Sequence, residues 1–271
     1  EFGYASGALR FDLDLAPGSI GEVCLAVPFG TVEAGAGRSA ASLRRVSAPK
    51  KFARAVREWK AKLGAVDFQV PPQMQAVADT FKTAAAHILI NRDGPALPPG
   101  PRRYNRSWIR DGAIMGAALL RAGYPTAIRD FIRWYAGFQS DDGNIPDCAD
   151  REGTEWLPEF DAYGEFIYAV VEYYRFSGDK AFLAEMQPAV AKTLAYMEGL
   201  RSKRLTKEYE SGEKQACYGL LPESMSHEGY MAHPVHAYWD DFWGIRGLRD
   251  AAFMAEVLGE EEAAARLAAS S

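Results

Sequence analysis

Arg106, Trp108, Arg110 and Asp111 crowd together just before a small-residue, apolar stretch containing Ala113, Ile114, Met115, Ala117, Ala118, Leu119 and Leu120. A helix apolar on most sides is a buried helix. Two guanidinium groups, an indole and a carboxylate at its mouth are costly to desolvate unless something polar meets them there. Asp111 is expected to cap this helix and Gly123 to end it. The same residues also fit a plain structural Arg–Asp pair closing a helix end. The choice between the two rests on the segments that follow.

The next polar segment, Asp141-Asp142-Gly143-Asn144-Ile145-Pro146-Asp147, reads as an Asp-Gly turn with solvated acids. It lacks the bidentate glutamate of a calcium loop, so no metal is expected. Glu155, Trp156, Glu159, Asp161 and Glu165 then lead into a helix, where carboxylates near the N-terminus interact favourably with the dipole. A third segment runs from Tyr218 to Tyr230 and on through His233, His236, Tyr238, Trp239, Asp240 and Asp241. His227, His233 and His236 lack the i, i+4 spacing of a helical zinc site, and Pro234 intervenes. Stacked aromatics among carboxylates fit a sugar better, with ring faces on tryptophan and hydroxyls on carboxylate and arginine. A carboxyl beside Leu221, Pro222 and Tyr230, such as Glu223, is expected to have a raised pKa, as a general acid requires.

The elements that must hold these residues are mostly helical. The first part differs: Leu9, Phe11, Leu13 and Leu15 alternate with Arg10, Asp12 and Asp14, predicting a strand, with a turn at Pro17-Gly18 and a second strand over Val23 to Val27. A lone hairpin is marginal, so these are expected to be the last strands of a larger sheet, within a segment 1–47. A linker helix follows over 48–71, with Pro49 at its start. From 72 onward, helices are predicted over Pro72 to Asn91, Asp111 to Ala122, Pro125 to Phe138, Phe160 to Ser177, Asp179 to about Arg204, and Ala237 to Leu258, with another starting near Glu260. Tight turns (Gly123 to Pro125, Ser177 to Asp179, Leu258 to Glu260) alternate with the long polar loops, which describes α-hairpins whose loops share one face.

A net charge of −5 argues against nucleic acid or an anionic membrane as partner. Cys24, Cys148 and Cys217 show no disulfide or zinc spacing, no cofactor is indicated, and no apolar run approaches the ~20 residues of a membrane helix. Nothing in the sequence points to a compartment.

Arg106-Ser-Trp-Ile-Arg-Asp-Gly-Ala, Asp142-Gly-Asn-Ile-Pro, Glu159-Phe-Asp-Ala-Tyr-Gly-Glu-Phe-Ile and Gly219-Leu-Leu-Pro-Glu-Ser, in that order between α-hairpins, resemble the six-hairpin glycosidases, above all their glucoamylase and trehalase-like branches. The resemblance covers roughly Pro72 to Ser271. It implies a mainly α fold: an incomplete (α/α)6 toroid preceded by the last strands of a β-sandwich. It further implies an inverting glycoside hydrolase acting on α-linked glucose, with an oligo- or disaccharide as substrate. Arg110 and Asp111 would hold the sugar beside Trp108. Tyr104, Asp142, Glu159, Asp161, Trp239 and Asp240 would complete the binding surface. Glu223 would be the general acid and Glu228 its reserve, although Leu221 and Pro222 replace the Trp-Glu context of the family. The family's general base lies in its sixth hairpin, and this chain carries about seven of twelve barrel helices. A missing barrel segment or a second chain is therefore expected to supply it. A non-catalytic carbohydrate-binding or assembly module on the same fold is the alternative. A polysaccharide lyase is a third, against which the acidic loops argue, since they would repel a polyanion.

Overall fold

A computed structural model describes residues 7–26, 45–229 and 231–270, and its contacts divide the chain into two units, Glu1–Lys62 and Leu63–Ser271. In the first unit, the expected strand over 9–15 and the portion of the second up to residue 26 form no ladder; the remainder of that strand lies outside the described residues. The turn does form, with Ser19 N–H donating to the Ala16 carbonyl at 2.9 Å. Leu9, Phe11, Leu13 and Leu15 stay exposed. Period-two alternation states which face a strand would bury, but a strand also needs a partner, and none is present among the described residues. Helix α1 (Ala48–Leu63) follows, with no buried residue.

The second unit is a partial toroid of helical hairpins. Its helices are α2 (Gln75–Asn91), α3 (Ile109–Arg121), α4 (Pro125–Ala136), α5 (Asp161–Ser177), α6 (Lys180–Ser202), α7 (Tyr238–Leu258) and α8 (Glu261–Ser270). Boundary signals act where the sequence places them. Pro125 opens α4, the Asp179 carboxylate accepts from Phe182 N–H at 3.0 Å ahead of α6, and Gly178 and Gly259 end α5 and α7 in the left-handed region at φ +67° and +88°. Asp111 is a correction: α3 begins two residues earlier, after Trp108, and no side chain caps it.

α5 packs between α3 and α7 in an inner row, and α4, α6 and α8 return along the outside. α5 is the centre, with every residue from Asp161 to Tyr173 buried except Tyr168. The core between the rows is built from Ile109, Leu119, Ile128, Phe131, Phe166, Ile167, Val170 and Leu183. Glycine sets the α5–α7 spacing. A Cβ on Gly164 would run into the backbone of Trp243, and one on Gly247 would lie 3.0 Å from the Gly164 Cα. A three-stranded antiparallel sheet, β1 (Ser107–Trp108), β2 (Cys148–Ala149) and β3 (Thr154–Glu155), fastens the long loops at the start of α3.

Because neither backbone can yield without opening the inner row, Gly164→Ala is expected to cost about 1–3 kcal/mol. Urea unfolding measures it, and a midpoint equal to wild type would show that α5 and α7 are not held at glycine contact.

Candidate functional site

The inner helices all present their N-termini at the same cluster. α3 arrives through β1: Trp108 pairs with Cys148, and Ile109 N–H donates to the Asp147 carbonyl at 3.1 Å. This places Arg110 in the first turn of α3, one-fifth exposed. Its Nη1 donates to Glu159 Oε2 at 2.9 Å and to Asp161 Oδ2 at 2.8 Å, both at the entrance of α5. Asp161 Oδ2 also accepts from the indole Nε1–H of Trp239, in the first turn of α7, at 2.7 Å. One carboxylate oxygen therefore joins three helices.

Asp240, beside Trp239, is 1% exposed. Its Oδ2 accepts from the Ser224 hydroxyl at 2.6 Å, while Oδ1 has no partner among the described residues. Burial, with the charges of Asp161 and Asp241 acting in the same direction, raises its pKa to about 7 against the opposing Ser224 bond. Burial likewise raises Asp147 to about 7, although Leu157 N–H donates to it at 2.9 Å. Glu159 is raised by burial and partly restored by Arg110. Arg110 itself would be lowered by burial, but Asp161 and Glu159 outweigh this and hold it above its ordinary value. Asp111 is half-buried, and burial raises it despite the neighbouring Arg110.

The third polar segment, loop three (residues 218–229 and 231–237), reaches the cluster by its middle. Met225 N–H donates to the Pro158 carbonyl at 3.1 Å, Ser224 and Val235 exchange both backbone hydrogen bonds at 2.9 Å, and the His227 ring lies 4.6 Å from that of Trp239. Glu223 is the next residue on this extended stretch, where neighbouring side chains point to opposite sides. Ser224 turns in to Asp240, and Glu223 turns out to Arg204 and to His236 Nε2 at 3.2 Å. Burial works to raise Glu223, but the Arg204 hydrogen bond and the charges of Arg204 and His236 win and its pKa is lowered. The expectation of an isolated, raised acid at Glu223 is thus corrected, because arginine and histidine close in where the sequence shows leucine and proline.

Arg110, Glu159, Asp161, Trp239 and Asp240 come together, with Asp111 beside them. Trp108 stands next to Tyr104, ring centroids 6.2 Å apart. Glu228 is exposed and pairs with His227 at 3.2 Å. Asp142 is exposed in its own turn, bonded to Ser140 and to Asn144 N–H. Arg106 leaves the group that the sequence joined it to, and pairs with Asp150 at 2.5 Å and Glu155 at 2.7 Å.

Glu165 was not among the expected site residues, although its spacing from Asp161 puts both on one face of α5. It is 0% exposed, and neither oxygen has a hydrogen-bond partner among the described residues. Burial raises its pKa well above the usual range, and the neighbouring Asp161 carboxylate adds to the effect. Among the described residues, no group of histidine, cysteine and carboxylate side chains is arranged to hold a metal ion.

A family model described as amylo-alpha-1,6-glucosidase matches residues 76–220. The matched span includes Arg110, Glu159, Asp161 and Glu165 and stops before Glu223, Trp239 and Asp240. No curated protein matches the chain.

An acid raised from about 4 to about 7 stabilises the fold while it keeps its proton. That contribution is complete below about pH 4 and is lost as pH rises through about 7. Asp240→Asn keeps an oxygen for Ser224 and never ionises. Between pH 4 and 8, stability is therefore expected to fall more steeply in wild type than in D240N, the gap growing by up to roughly 4 kcal/mol. Parallel urea-midpoint curves would show that Asp240 has an ordinary pKa.

Proposed function

The chain belongs to the amylo-alpha-1,6-glucosidase family, a glycosidase family of the six-hairpin superfamily, and from that premise we propose that it forms the sugar-holding and proton-donating part of a glycoside hydrolase acting on an α-linked glucose-type substrate. The observation that carries the reading is the convergence of Arg110, Glu159, Asp161, Trp239 and Asp240 at the N-termini of three inner helices. Arg110, already oriented by two carboxylates, donates to sugar hydroxyls. Trp239, with the Tyr104 and Trp108 rings, offers apolar faces to the sugar ring. Asp161 fixes Arg110 and Trp239 relative to each other.

The acid step requires a carboxyl that still holds its proton near neutral pH. Asp240 meets this better than Glu223, which is engaged as an acceptor by Arg204 and His236. Its Oδ1 is the atom we assign to donate a proton to the leaving glycosidic oxygen once the Ser224 stretch of loop three admits a substrate. The water-activating carboxylate is assigned to a further barrel segment or a second chain. In an inverting pair it would stand ~6.5–9.5 Å from Asp240. One observation favours the second reading, a carbohydrate-binding module without turnover: Asp240 lies almost wholly out of solvent.

Glucose release from maltotriose and isomaltose by the full-length protein tests both. D240N is expected to lower kcat by about 10²–10⁴-fold with KM little changed, and Arg110→Ala to weaken binding of either sugar. Wild-type turnover in D240N together with loss in Glu223→Gln would return the acid role to Glu223. Sugar binding that depends on Arg110, without turnover in wild type, would establish the binding module.

A further inference from the structure

The sheet at the mouth of α3 has a second face, and a cleft lies against it. The cleft holds about 280 Å³ and is bordered by Pro98, Arg106, Ser107, Trp134, Asp150 and Glu152. It shares no residue with the Arg110 cluster. Successive residues of a strand point to opposite faces, so β1 offers Ser107 to this side and Trp108 to the other. The roof is the loop after α2, where Asp93 and Ala96 exchange backbone hydrogen bonds at 3.2 and 3.0 Å around Gly94. Gly94 has φ +59°, a turn conformation that glycine adopts without strain.

Two features point to a ligand. Ser107 is 0% exposed, and its hydroxyl has no hydrogen-bond partner among the described residues. A buried hydroxyl left unpaired is costly, and this one stands in the wall of an open cleft. Trp134, half-buried on α4, is braced edge-on by Tyr135 and Phe138 at 5.9 and 4.9 Å, and so forms a fixed aromatic wall.

The charges decide the class of ligand. Arg106 is taken by Asp150 and Glu155, and Arg151 by Asp93 at 2.5 Å. Asp150 Oδ1 also accepts the N–H groups of Glu152 and Gly153 at 2.7 and 2.9 Å. With both guanidinium groups compensated, an anion would find no free counter-charge. A neutral molecule carrying several hydroxyls and an apolar ring face suits an unpaired Ser107 hydroxyl, carboxylate acceptors and the Trp134 indole. The volume falls near the lower end of the ~300–1,000 Å³ of ligand pockets, which limits the guest to one or two rings.

We infer that this cleft is a second carbohydrate site, which holds a short neutral sugar without cleaving it. It does not rest on the chemistry proposed for the Arg110 cluster.

Maltose titrated by calorimetry into the full chain tests it, with Arg110→Ala present throughout to disable the first site. R110A is expected to retain maltose binding. Adding Ser107→Ala should weaken that binding about two- to tenfold, and adding Trp134→Leu up to about tenfold. Equimolar inorganic phosphate should not displace the sugar. S107A removes only a hydroxyl and keeps the test open if W134L fails to fold by circular dichroism. The inference is overturned if R110A, shown folded by circular dichroism, binds no maltose, if folded S107A binds it as tightly as its parent, or if phosphate competes.

Discussion

One guanidinium sets the geometry of the second unit's polar end. Arg110 on α3 grips Glu159 and Asp161 at the start of α5, and Asp161 in turn takes the Trp239 indole at the start of α7. Every other feature of the site is placed by this bridge. Asp240 follows Trp239 directly, loop three is tied to Asp240 through Ser224, and Met225 returns it to the backbone before α5. A buried ion pair of this kind gains little net stability, because the cost of desolvation nearly cancels the attraction. Its physical value is position: it holds three helix N-termini at fixed distance around one set of oxygens.

The surroundings are tuned to make that arrangement tolerable while leaving acids unsatisfied. Helix N-termini favour carboxylates, and α3, α5 and α7 each place an aspartate in the first turn. Glycine contact between α5 and α7 seals the floor beneath them. More carboxylates are buried than one arginine can neutralise, and the excess appears as raised pKa values at Asp240, Glu159 and Glu165. A proton-holding carboxyl next to a fixed guanidinium is what the proposed glycoside-cleaving role requires.

Much of this was legible in the sequence. Helix boundaries at Pro125, Asp179 and the glycines after α5 and α7 follow from local backbone chemistry, which a sequence displays directly. The alternation of tight turns with long polar loops led to hairpins, and so to Arg110, Glu159, Asp161, Trp239 and Asp240 as neighbours. The failures have a common cause, since each depended on what arrives from elsewhere in the chain. Leu9 to Leu15 has a strand's pattern but finds no partner strand among the described residues. Glu223 has apolar neighbours in sequence, yet Arg204 and His236 meet it in space. Arg106 and Arg110 are four residues apart, but β1 and its pairing with β2 send them to different carboxylates. Glu165 looked like a helix-end acid until the packing of α5 on all sides enclosed it.

The coupling between Arg110 and Asp161 bears most directly on all of this. A double-mutant cycle with Arg110→Met and Asp161→Asn, read by urea unfolding of the two single variants, the double variant and wild type, isolates that interaction. If the bridge sets the geometry, each single change strands a buried partner and the double change relieves it, giving a coupling of about 1.5–3 kcal/mol. Effects that add to within about 0.5 kcal/mol would mean that the two side chains act independently, and would contradict the account.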